Sequence, residues 1–210
     1  TYDLIMNADG TRAEGRMGTS AGTMSVRLRR VTPDVARDAV IRRPQEPVAA
    51  HGYQAREVFI ASADGTALYG TLTTPEGMSP ARPAPGVVLI GDLGATDRDL
   101  SGAYHRPFLV LADALSKAGF AVLRLDDRGV GQSGGDERMA TPEISAADAA
   151  GALTALAGME GVDATRVGYL GLGEGTVTAA IAAQIPTQMP TQTPAPSAPG
   201  APEALSLIHI

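Results

Sequence analysis

The chain contains no cysteine and no tryptophan. The first absence excludes disulfides, thiolate zinc sites and a cysteine nucleophile, and leaves the redox compartment undetermined, because both reducing and oxidising surroundings tolerate cysteine-free chains. Aromatic residues make up 4% of the sequence, and there are three histidines, His51, His105 and His209. No apolar run approaches the roughly 18–20 residues of a spanning helix. Basic residues form no stripe and the formal charge is -6, which leaves no electrostatic footprint for nucleic acid. The chain starts at Thr1, without the basic segment and apolar core of a signal peptide. Localisation stays open.

What is present is a globular composition. Apolar residues amount to 44% and charged residues to 19% of 210 positions, room for one domain plus an appendage. Residues 1–42 read as a small β appendage, in which Ser25-Val26-Arg27-Leu28-Arg29 alternates like a half-buried strand. A proline-punctuated connector covers 43–56. Strands are expected at 57–61 and 67–72, flanking the turn Ala63-Asp64-Gly65-Thr66. The uninterrupted apolar run Gly86-Val87-Val88-Leu89-Ile90 fits a central strand covered on both faces. Helices at 107–118, 142–157 and 175–183 alternate with strands at 121–125 and 166–170. The pattern implies an α/β fold with a mostly parallel sheet and helices on both faces. A partial α/β domain at 57–185 is followed by a Pro/Thr/Ala-rich flexible linker at 186–203 and a terminal strand at 204–210.

Two glycine-rich loops compete as sites of chemistry. Gly131-Gln132-Ser133-Gly134-Gly135 fits G-x-S-x-G literally, yet a nucleophile elbow needs a sharp strand-to-helix turn. Ser133 lies about eight residues beyond the strand ending at Leu125, so it reads as part of a structural loop. Gly171-Leu172-Gly173-Glu174-Gly175 sits between a strand and a helix but offers no hydroxyl at its centre, and acyl-enzyme chemistry needs one. Its helix N-terminal amides around Glu174 and Gly175 are expected to be free for an anion. A plain βα turn is the alternative.

Four segments carry a resemblance. They are Arg43-Pro44-Gln45-Glu46-Pro47; Gly70-Thr71-Leu72-Thr73-Thr74-Pro75; Asp97-Arg98-Asp99 with the stretch from His105 to Asp113; and Ala121-Val122-Leu123-Arg124-Leu125-Asp126-Asp127-Arg128-Gly129-Val130-Gly131-Gln132-Ser133-Gly134-Gly135. In order and spacing they resemble esterase-like α/β-hydrolases with an N-terminal β appendage, over about residues 40 to 183. The resemblance implies an α/β-hydrolase-type sheet truncated after about its sixth strand, and a serine carboxylic-ester hydrolase acting through an acyl-enzyme without a cofactor. In such proteins the elbow reads Gly-His-Ser-Glu-Gly, which puts Gly173 in the nucleophile slot. The loop after the third strand usually reads Gly-Ser-Gly where this chain has Asp92-Leu93-Gly94. Backbone amides of Leu93 and Glu174 would form the oxyanion hole, and an inward-pointing Asp92 would oppose the charge developing there. The Asp and His of the triad would follow the sixth strand, where this chain ends. Asp126, Asp127, Arg128, Gly129, Gly131 and Ser133 form the family's structural motif.

The remaining candidates read blandly. His105 precedes a helix and suits packing or capping. Asp126 and Asp127 are adjacent, hence point to opposite faces of a strand, so a salt link to arginine bracing the loop is favoured over a metal. Asp97-Arg98-Asp99 has the same reading, and Asp148 reads as a solvated or capping charge. Three functions follow: a hydrolase-fold protein unable to form an acyl-enzyme; a non-catalytic protein binding a small acyl or ester ligand; and an active hydrolase using Ser133 with a base from His105 or a second chain. A sheet lacking its last strands would leave an open edge, which a partner chain could complete.

Overall fold

The structure is a computed structural model that describes residues 2–19, 22–32, 47, 52–92, 94–102 and 105–186. The expected linker and terminal strand, most of the connector, His51, Leu93 and His209 lie outside the described residues. Two compact units are present, Thr1–Arg43 and Pro44–Ile210.

The first unit is an antiparallel meander of β1 (Tyr2–Met6), β2 (Arg12–Thr19) and β3 (Gly22–Arg29). Its first turn is held by side chains: the Thr11 N–H donates to Asn7 Oδ1 at 3.0 Å and to Asp9 Oδ1 at 2.9 Å. Register puts Leu4, Met6, Ala13, Met17, Met24, Val26 and Leu28 on one face and Asp3, Arg12, Glu14, Arg16, Arg27 and Arg29 on the other. At Gly15, in the middle strand, a side chain would overlap the Asp3 carbonyl.

The second unit is a five-stranded sheet in the order β4 (Tyr53–Ala61), β5 (Ala67–Pro75), β7 (Ala121–Leu125), β6 (Ala84–Ile90), β8 (Val162–Gly171). The sheet is mixed rather than mostly parallel. β5 is antiparallel to both β4 and β7, whereas β6 is parallel to β7 and β8. For β4 and β5 the physical reason is the short turn between Ala61 and Ala67. So short a connection can only reverse the chain, while parallel neighbours need a crossover. Gly65 turns it with φ +84°, and Ser62 and Thr66 close it by a backbone hydrogen bond of 2.8 Å.

Helices cover both faces. α1 (Pro107–Lys117) follows β6, α2 (Pro142–Ala157) follows β7, and α3 (Gly175–Ala182) follows β8; a short 3-10 turn, Glu137–Met139, precedes α2. Alternation along each strand divides the core. Val87, Leu89, Val122 and Leu170 pack with Phe108 and Ala112 of α1. Val88, Leu123, Leu72 and Tyr169 pack with Leu153 and Leu156 of α2 and Ala179 of α3. Two of the three helix starts are legible: proline opens α1 and α2, and Thr141 Oγ1 accepts the Ile144 N–H as the α2 cap. Pro85, inside central strand β6, coincides with a register shift between Ala84 and Gly86, as a residue without an N–H requires.

Candidate functional site

A cavity of about 330 Å³ opens at the carboxyl ends of β6 and β7, bounded by the β6 loop, the loop after β7, α2 and the start of α3. Ligands of open α/β sheets collect at this edge. The turn formed by residues 171–175 stands beside it. Leu172 donates its N–H to the Ile90 carbonyl at 3.0 Å, and Gly175 donates to Leu172 at 3.0 Å. A side chain at Gly171 would overlap the Gly175 backbone, and one at Gly175 would overlap the Gly91 and Ile90 carbonyls. The tight strand-to-helix turn thus depends on both outer glycines.

Gly173 has φ +59°, a left-handed conformation that a side chain adopts only at a cost. A Cβ placed there would overlap the Asp92 carboxylate. Asp92 therefore points into the turn and lies against Gly173. It also accepts a backbone hydrogen bond: the Glu174 N–H donates to Asp92 Oδ1 at 3.0 Å. Sequence reasoning expected that amide to be free for an anion, but the protein supplies the anion itself. The Asp92 carboxylate occupies the space that any side chain at position 173 would need.

Ser133 is elsewhere in role. It is 8% exposed, its hydroxyl donates to the Asp126 carbonyl at 2.8 Å, and its oxygen accepts the Tyr69 N–H at 2.9 Å. These bonds tie the β7 loop to β5. Gly129 and Gly131 turn that loop with φ +73° and +57°. His105 is exposed, bridges to Gly102 through backbone alone, and makes no part of the cavity wall; among the described residues, no histidine does.

The charged residues brace the site by reaching far along the chain. Arg98 donates to both Asp126 oxygens, from Nε at 3.1 Å and from Nη2 at 2.7 Å, and also contacts Glu57 and Thr71. Arg128 donates to Asp148 at 2.5 and 2.7 Å, to Asp64 at 2.7 Å, and to Ser62 and Thr66. Asp148 is consequently no solvated helix charge; it is a partly buried half of an ion pair. Both forks match guanidinium to carboxylate, and they hold the guanidinium protons above the ordinary arginine range.

Asp127 differs from its neighbours. Its carboxylate accepts the Thr96 N–H and O–H, both at 2.8 Å. Desolvation raises its pKa above the ordinary carboxylate value, with Asp148 and Asp126 adding to the rise. Among the described residues, no three His, Asp or Glu groups converge to hold a metal ion. No described helix is long and apolar enough to cross a membrane.

No family model matches the chain. Uncharacterized protein PA2218 of Pseudomonas aeruginosa is 30% identical over 118 residues, 56% of this chain and 30% of that protein. Its crystal structure superposes on 67% of this chain and 41% of its own, with TM-score 0.56 and 27% identity. DcsB, solved in complex with its substrate analogue, matches 63% of this chain with TM-score 0.53 and 19% identity. The α/β hydrolase GrgF from Penicillium sp. sh18 matches 63% with TM-score 0.53 and 20% identity. The fold is that of the α/β-hydrolases. This chain spans less than half the length of each of these proteins: 30% of its curated relative and 42% of DcsB and of GrgF. The α/β-hydrolase core here comprises β4 to β8 and α1 to α3 among the described residues, and the cavity lies at its carboxyl edge.

Proposed function

We propose that this chain is an α/β-hydrolase-fold protein of the carboxylic-ester hydrolase type whose elbow cannot form an acyl-enzyme. A single observation carries the reading: the nucleophile slot holds Gly173, and the Asp92 carboxylate lies against it while accepting the Glu174 N–H. An acyl-enzyme needs a hydroxyl or thiol at that point. An oxyanion hole needs donors free for the charge that develops in the transition state. Here the slot has no hydroxyl, and the Glu174 donor is given to a carboxylate that would repel an oxyanion. Non-catalytic ligand binding is the second reading, favoured by the cavity beside the elbow. Catalysis by Ser133 draws no support from its two backbone hydrogen bonds and its burial.

The test is hydrolysis of a short-chain activated ester by the purified chain and by Ser133→Ala. The expected result is no turnover above buffer in either. Turnover by the parent chain that disappears in Ser133→Ala overturns the proposal.

A further inference from the structure

We infer that the cavity takes an uncharged, mainly apolar alcohol, whose oxygen pairs with the hydroxyl of Thr178 and whose hydrocarbon part lies on the apolar wall. The inference rests on the ligand-binding reading of the same cavity and names its ligand class. The observation behind it is a buried hydroxyl that the protein leaves unpaired. Thr178 is 8% exposed and lines the cavity. Its backbone N–H donates to the Glu174 carbonyl at 3.2 Å, but among the described residues no hydrogen bond uses its side-chain oxygen. The enclosed side-chain atoms without a partner belong, among the described residues, to Asp113, Arg124 and Tyr169. The Thr178 oxygen is not one of them, so it keeps an accessible surface, and the wall it belongs to is that of the cavity.

The surroundings of that hydroxyl are apolar. Glu174 and Thr178 stand one helical turn apart, the first exposed and the second buried. Leu68, Val88, Ala149 and Ala152 line the same cavity and belong to the buried apolar cluster that also holds Ala179, the next residue of α3. A hydroxyl in such a wall forfeits the hydrogen bonds it makes in water. A ligand hydroxyl restores one, since it can both donate and accept, and its hydrocarbon part gains by leaving water. Charge is selected against in both signs. An anion would meet the carboxylates of Asp126, Asp127 and Asp148, which line the cavity. A cation finds those groups already answered, Asp126 by Arg98, Asp148 by Arg128 and Asp127 by the Thr96 N–H and O–H. At Thr178 it would give up its water to one neutral hydroxyl, a poor exchange for an ion. Cavities of this size and mostly apolar lining are characteristic of small-molecule sites.

Isothermal titration of the full chain at pH 7 with hexan-1-ol, hexylammonium and sodium hexanoate, equal in chain length and different in charge, tests this. Hexanol is expected to bind at least fivefold more tightly than either ion, with an affinity that salt does not change. Thr178→Val, which keeps the shape and removes the hydroxyl, is expected to weaken hexanol about fivefold, whereas Thr178→Ser should hold it within twofold. The ligand-free Thr178→Val chain should melt no lower than the parent, because the hydroxyl it lacks had no protein partner. Hexylammonium or hexanoate binding as tightly as hexanol, hexanol affinity indifferent to Thr178→Val, a lower melt for the free variant, or no saturable binding by a cooperatively melting parent would each overturn the inference. Ester turnover measured on the same sample separates the two proposals: turnover removes the empty-elbow reading, whereas lost alcohol preference without turnover removes only this one.

Discussion

Gly173 and Asp92 compete for one volume, so their substitutions should be coupled. Gly173→Ala is expected to destabilise the chain by about 1–2 kcal/mol from the left-handed backbone alone, and by more through overlap with the carboxylate. Asp92→Ala should recover the overlap part but not the backbone part, so a double-mutant cycle by denaturant unfolding should show a favourable coupling; strict additivity would mean that the carboxylate lies elsewhere. At Asp127 the sign of a pH effect can be worked out. Its pKa is raised in the folded chain, so the native state holds the proton more tightly, and this group's contribution to stability falls as pH rises from the unfolded value through the folded one. Asp127→Asn should therefore gain in melting temperature relative to the parent at pH 7. The gain should vanish near pH 4, and thermal melts across that range measure it. Asp92 is also where sequence reasoning stopped: its identity was plain, but the direction of its side chain depends on the turn that Gly173 makes 81 positions later.

At the scale of elements, Arg128 joins three parts: the β4–β5 turn through Asp64, α2 through Asp148, and the loop after β7 in which it sits. Removing one member of a partly buried pair strands the other. Asp148→Ala is expected to cost roughly 3 kcal/mol in unfolding free energy, far beyond the loss of a surface charge. A change within about 0.5 kcal/mol would mean that Asp148 is solvated. Ser133→Ala should cost about 1–3 kcal/mol by leaving buried backbone groups unpaired. These pairings were hidden in the sequence because the partners stand 20, 64 and 28 positions apart (Arg128 to Asp148, Arg128 to Asp64, Arg98 to Asp126), and local pattern carries no sign of them. The elements themselves were legible. The apolar run of β6, the Asp-Gly turn before β5, the prolines opening α1 and α2, and the strand-to-helix setting of Gly171 to Gly175 all state their structure locally. The direction of β5 relative to β4 was legible too, because so short a turn permits only reversal, and the expectation of a mostly parallel sheet weighed the later βα alternation more than this turn.

The described part of the second unit has the α/β-hydrolase fold, with a cavity at the carboxyl edge of its sheet. The sheet, the helices on both faces and the close-packed glycines 171 and 175 concern backbone packing, and all are present among the described residues. In the proposed reading, acyl-enzyme chemistry would need a hydroxyl at position 173 and a free amide at position 174; the chain has glycine at 173, and the Glu174 N–H donates to Asp92. Incubating the purified chain with an alkyl fluorophosphonate, which labels an activated serine, followed by intact-mass and peptide analysis, tests this most directly. The account predicts an unmodified mass under conditions that fully label a control serine esterase. A stoichiometric phosphonate adduct on a serine of this chain, Ser133 above all, would contradict it.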